Sequence, residues 1–188
     1  VNRAIKFLIF IISLFFYTTV FADTQNISSK WNTYVKTDNM TKKLITFCTI
    51  ESTNVINLDF PYSGEQRGKL TIRKHPRFGH DIIFSVEKGQ ILCHERCKIN
   101  ITFDNKNIDC KPIDFNFTVP SDYSTNVIFL MDSYASSSKD KVQILYVSML
   151  ESFIIGASKK NCKMLIEVPF YQNGNIIFEF DIKNIPKI

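Results

Sequence analysis

Lys98-Ile99-Asn100-Ile101-Thr102-Phe103-Asp104 changes from polar to apolar and back at every step. Two more stretches follow the same rule. Ile113, Phe115, Phe117 and Val119 alternate with Asp114, Asn116 and Thr118, and Ile176, Phe178, Phe180 and Ile182 alternate with Ile177, Glu179 and Asp181. Successive side chains of a strand point to opposite faces, so a period of two puts one face in a core and the other in water. Weaker strand patterns cover residues 45–50, 55–60, 70–73, 82–87, 127–131 and 165–171. Turn residues separate them at Ser63-Gly64, Phe78-Gly79, Lys88-Gly89 and Asn173-Gly174. The last pair lies between two apolar runs, the arrangement expected of a hairpin.

One segment has a different period. Val142, Tyr146, Met149, Leu150, Phe153 and Ala157 recur at helical spacing, with Asp140 placed to cap the start and Gly156 near the end. Such a stripe is expected to pack across a sheet. The polar run from Ser133 to Lys141 reads as the loop before it. About nine short strands and one helix predict a mainly β domain, an antiparallel β-sandwich or barrel-like fold with one helix.

The beginning of the chain speaks of address. Arg3 and Lys6 precede an apolar run from Phe7 to Tyr17, and Val20-Phe21-Ala22 supplies a small-residue cleavage site. The run is too short to cross a bilayer, which takes about 20 apolar residues, so residues 1–22 read as a secretory signal peptide. Residues 23–188 read as a single β-rich domain without a membrane span, periplasmic or secreted. A first residue of Val in place of Met suggests a GTG start and a bacterial gene. The net charge is +5, or +3 once Arg3 and Lys6 are set aside. That is too mild for a nucleic-acid-binding stripe.

Export makes the five cysteines disulfide candidates. Cys93 and Cys97 flank His94-Glu95-Arg96, and if those three residues form a hairpin loop the two thiols face each other. A structural zinc site needs a second matching pair, which the chain lacks, so a disulfide is expected there and no metal or other cofactor. The odd count leaves at least one thiol free or pairing between chains.

The densest polar chemistry is Arg73-Lys74-His75-Pro76-Arg77-Phe78-Gly79-His80-Asp81. Arg73, His75, Arg77 and His80 form the candidate binding set, because guanidinium groups hold carboxylates and phosphates through paired hydrogen bonds. The competing reading is a solvated turn that keeps a sheet edge soluble. G-x-S-x-G, H-E-x-x-H and P-loop patterns are absent. The sequence therefore points to a non-enzymatic, exported binding or envelope-associated protein, with an anionic envelope component or another protein as partner. The alternative is a periplasmic hydrolase or transferase whose site is dispersed along the chain.

Trp31, Asp38-Asn39-Met40-Thr41, Leu70-Thr71-Ile72-Arg73, Gly89-Gln90 with Cys93 and Cys97, Phe103-Asp104, and the closing segment from Ile166-Glu167-Val168 to Phe180 resemble small exported proteobacterial proteins of unknown function. The layout is also loosely similar to the secreted invasion-associated locus B family. That resemblance implies a signal peptide, a tryptophan early in the mature chain, central cysteines and a closing β segment. It brings no catalytic residues. This chain departs from it in lacking a cysteine soon after Trp31 and in its Arg73 to Asp81 segment.

Overall fold

A computed structural model describes residues 30–77, 79–92, 96–104, 115–120, 126–132 and 141–187. Residues 1–29, which include the expected signal segment, and Phe78, residues 93–95 with Cys93 and His94, 105–114 with Cys110, 121–125, 133–140 with Asp140, and Ile188 lie outside the described residues. Eleven strands and one helix are described: β1 (Asn32–Thr37), β2 (Leu44–Glu51), β3 (Ile56–Leu58), β4 (Gly64–Gln66), β5 (Gly68–His75), β6 (Gly79–Val86), β7 (Arg96–Asp104), β8 (Phe115–Pro120), β9 (Val127–Asp132), α1 (Lys141–Lys159), β10 (Lys163–Phe170) and β11 (Gly174–Asp181). The alternating stretches do form strands, all paired antiparallel.

Two sheets make the body, one of five strands in the order β1-β2-β5-β6-β9 and one of four in the order β11-β10-β7-β8. Their apolar faces meet as a sandwich; neither sheet closes into a barrel. Cys48, Ile50, Leu70, Ile72, Ile82 and Phe84 come from the first sheet. Ile99, Ile101, Met164, Ile166, Val168, Phe178 and Phe180 come from the second. Phe84 is the hinge of this packing, with its ring centroid 4.9 Å from that of Phe178 and 6.4 Å from that of Phe180. Trp31 plugs the same core just ahead of β1.

Gly68 shows how tightly the layers approach. A Cβ there would lie 2.6 Å from Phe178 Cδ1 and 2.9 Å from Phe84 Cε2. Those rings are held in the packed interior and have little room to retreat. Gly68→Ala should therefore cost about 1–3 kcal/mol by overpacking, read as a lower urea midpoint with an unchanged m-value.

The helix takes its predicted place but ends later than Gly156 suggests. Leu150 and Ile154 are fully buried and Phe153 and Ala157 are partly so, which gives a stripe facing β6, β9 and β10. Termination comes at Asn161, which adopts a φ of 57°. The amide of Cys162 donates to the carbonyl of Ala157 at 3.0 Å, and that of Asn161 donates to Ser158 at 3.2 Å. This is a Schellman closure, with asparagine in the left-handed position usually held by glycine.

The expected Cys93–Cys97 bridge lies outside the described residues, and only the segments on either side of it are placed. Leu92 donates its amide to Pro169 at 2.8 Å, and Ile91 bridges to Phe170, so the stretch from Gln90 to Leu92 bonds to the end of β10. The partners of β7 are β10 and β8.

Cys162 is buried and disulfide-bonded, while Cys48 is a buried free thiol whose pKa burial pushes up. The register limits the partner of Cys162. Lys163 pairs with Asp104, so Cys97, near the far end of β7, lies many strand positions away. Disulfide Cα atoms lie within about 7 Å of each other, beyond what that register allows. Peptide mapping under non-reducing conditions should therefore recover Cys162 in a disulfide that does not include Cys97.

Candidate functional site

The Arg73 to Asp81 segment is the β5–β6 hairpin, in which Arg73 faces Asp81, Lys74 faces His80 and His75 faces Gly79. Directly opposed residues share a face, so the hairpin divides the candidate set. Arg73 and His75 lie on the outer face of the five-stranded sheet, and His80 lies on the other.

Each of these side chains also has internal work. Asp81 is completely buried, and the Arg73 guanidinium pairs with its carboxylate, with Nε 2.6 Å from Oδ2. His75 is buried, and its Nδ1 accepts the backbone N–H of Arg77 at 3.1 Å, which fixes the turn. His80 Nδ1 meets Glu151 of α1 at 3.0 Å and so ties the helix to β6. Arg77 is exposed at the turn. His80 and Asp81, adjacent in sequence, serve different partners on opposite faces.

A second region was not singled out by the sequence. The β1–β2 hairpin carries Tyr34, Val35, Met40 and Leu44, all exposed; Met40 is 81% and Leu44 63% accessible. Every residue of β1 is exposed. Tyr34 and Phe47, opposed across the two strands, stack with centroids 4.8 Å apart and planes within 8°. The Lys36 ammonium sits 5.9 Å from both ring centroids, within cation–π range. Phe47 in turn faces Arg73 on β5. Lys36, the Tyr34–Phe47 stack and Arg73 thus form one continuous strip across the outer face.

The turn that presents this strip is braced. Asp38 accepts the Met40 amide at 3.1 Å and the Thr41 hydroxyl at 2.6 Å. The Thr41 hydroxyl foremost, then the Met40 amide, hold the Asp38 carboxyl below its ordinary range. Lys42 takes a φ of 57°, and its amide closes onto the Asp38 carbonyl at 2.8 Å. A signal for this site exists in the sequence, since Lys30 to Leu44 holds Tyr34, Val35, Met40 and Leu44 beside four lysines. No clean period of two marks it, because both faces of β1 meet solvent.

An open groove of about 570 Å³ lies at the other end of the same sheet, with Glu51, Glu65, Glu87 and Lys69 on its walls. Arg67 and Gln66 also line it but are committed to holding the β3–β4 hairpin in place. Arg67 donates to the carbonyls of Ser52 and Thr53 at 2.7 and 2.9 Å. Gln66 donates to Tyr62 and accepts from the Lys88 amide. Among the described residues no three His, Cys, Asp or Glu side chains gather as a metal site. No described helix is long and apolar enough to cross a membrane. The chain matches no family model, no curated protein and no solved structure.

Proposed function

We propose that this is an exported, non-enzymatic binding protein of bacterial origin, periplasmic or secreted, and that its contact surface is the β1–β2 hairpin with the adjoining strip to Arg73. The observation that carries the reading is the cluster of exposed apolar side chains, Tyr34, Val35, Met40 and Leu44, on one braced hairpin. Scattered exposed apolar residues are ordinary on protein surfaces, but a contiguous group rimmed by charge marks an interaction site. Lys36 over the aromatic stack, with Lys30, Lys42 and Lys43 exposed nearby, favours an anionic partner, either a protein or an envelope component. Of the sequence-derived set the outer strip takes in Arg73; His75 shares that face but is buried, and His80 belongs to the helix contact. A dispersed hydrolase or transferase site is the competing reading. Against it, His75 and His80 are each engaged in holding the hairpin or the helix.

Site-specific photo-crosslinking in the producing cell tests the reading. A benzophenone side chain at Tyr34 should give a discrete adduct, whereas the same group at exposed Ile177 on β11 should not. Adducts at Ile177 and none at Tyr34 would move the surface to the other sheet.

A further inference from the structure

We infer that β1 is an acceptor edge, completed by an extended acidic segment of a partner protein that adds as a sixth strand to the five-stranded sheet. The inference rests on the reading of the hairpin as the binding surface and specifies how binding occurs.

Backbone bonds fix which groups point outward. The Asp38 amide donates to the Lys43 carbonyl at 2.8 Å, and this pair continues the register of Lys36 with Ile45 and Tyr34 with Phe47. In an antiparallel ladder the bonded pairs alternate, so Asn32, Tyr34 and Lys36 bond inward to β2. The other side of β2 gives the same answer. The Ser52 amide donates to the Gly68 carbonyl at 2.7 Å, which continues the register of Ile50 with Leu70 and Cys48 with Ile72. Even-numbered residues of β2 therefore bond β5, and Ile45, Phe47 and Thr49 bond β1. Both lines leave the amides and carbonyls of Thr33, Val35 and Thr37 facing away from the sheet.

The fold treats the outer strand β11 of the second sheet differently. At β11, the carbonyl of Glu179 accepts from the Thr53 amide at 2.7 Å, and its amide donates to Asn54 Oδ1 at 2.8 Å. Asn54 Nδ2 also donates to the Ile177 carbonyl at 2.8 Å. The β2–β3 loop thus covers that edge with polar groups, a usual protection against strand pairing. Among the described residues β1 receives no such cover, and all six of its residues are exposed.

Charge selects the occupant. Residues 30–44 carry Lys30, Lys36, Lys42 and Lys43 against Asp38 alone, a net +3. All four lysines are exposed, and none makes an ion pair among the described residues. The Asp38 carboxylate is occupied by the turn. A second copy would set +3 against +3, whereas an acidic strand neutralises it. Strand addition supplies affinity through the main chain and specificity through alternate side chains. The fitting segment alternates, placing acidic residues beside Lys36 on the outer face and apolar residues beside Val35 on the other.

The probe is a fluorescein-labelled ten-residue peptide of alternating Glu and Val, with a Lys–Val peptide as control, followed by anisotropy. The Glu–Val peptide should bind and weaken with added salt, and the Lys–Val peptide should not bind. Val35→Pro deletes one outward N–H at an edge position that tolerates proline, so affinity should fall about tenfold. Val35→Thr keeps the N–H and should bind like the parent protein. In the unsubstituted protein, amide exchange at Thr33, Val35 and Thr37 should be fast and should slow when the peptide is added. This readout does not depend on how the proline variant folds.

Equal binding of Val35→Pro, with loss on Leu44→Asp, would overturn strand addition and leave the hairpin as a side-chain surface. No binding of the Glu–Val peptide would overturn the acidic partner. Amides already protected in a monomer would show the edge covered by its own chain. A dimer broken by Val35→Pro would assign the edge to a second copy. Either result would overturn the inference.

Discussion

Arg73→Ala is expected to destabilise the protein by about 3 kcal/mol, the low end of what removing one member of a buried ion pair costs. The low end applies because Arg73 is 24% exposed, although Asp81 is wholly inaccessible. Loss of the guanidinium takes charge-assisted hydrogen bonds from a carboxylate that cannot turn to water. Lys74, the next residue, is exposed on the opposite face, and Lys74→Ala should change stability by less than about 0.5 kcal/mol. Urea unfolding of the two variants side by side decides the matter. Equal, small losses would show that Arg73 is surface charge and that the whole β5–β6 hairpin is free to serve a ligand. A large loss for Arg73 alone makes it a structural residue that also edges the strip proposed as the contact surface.

Phe178→Ala should have the largest effect of any single truncation, about 3–5 kcal/mol. Its ring is fully buried and meets Phe84 at 4.9 Å and Phe170 at 5.9 Å, so it joins both sheets. It also closes over Gly68, where no side chain can fill the space it would leave. Two-residue shifts along β11 lead to Ile176, which is only partly buried, and Ile176→Ala should cost clearly less. Thermal or urea melts that rank the two in the opposite order would place the centre of the core elsewhere.

Much of the fold was legible because burial on one face leaves a period of two. β7 and β11 are read directly from their alternation, as is the turn between β10 and β11, where Gly174 has a φ of 66°. β1 was not legible for the same reason. Asn32-Thr-Tyr-Val-Lys-Thr37 puts neither face in the core, so its pattern records no inside. β4 is three residues long and too short to show a period. The polar cluster from Arg73 to Asp81 was visible as composition, but its division between two faces depends on a register set by β2 and β6. Salt bridges across strands, such as Arg73 with Asp81, leave no mark in linear order. The acidic groove on β2, β5 and β6 was hidden likewise, because Glu51, Glu65 and Glu87 meet only after folding.

The pairing of Asp104 with Lys163 sets a schedule for folding. β1 with β2 and β5 with β6 are joined by short turns and can form from local chain. β10 and β11 come last in the sequence, and β7 must wait for β10 across the whole segment that contains α1. Non-local pairing of this kind slows two-state folding toward the millisecond-to-second range. Until it is complete, Ile72, Ile82 and Phe84 have no opposing layer, and a half-built sheet presents them to any neighbouring chain. Transiently uncovered apolar faces are where aggregation begins. β11, which follows the other described strands in chain order, is therefore the one that closes this window, by laying Phe178 and Phe180 over Phe84.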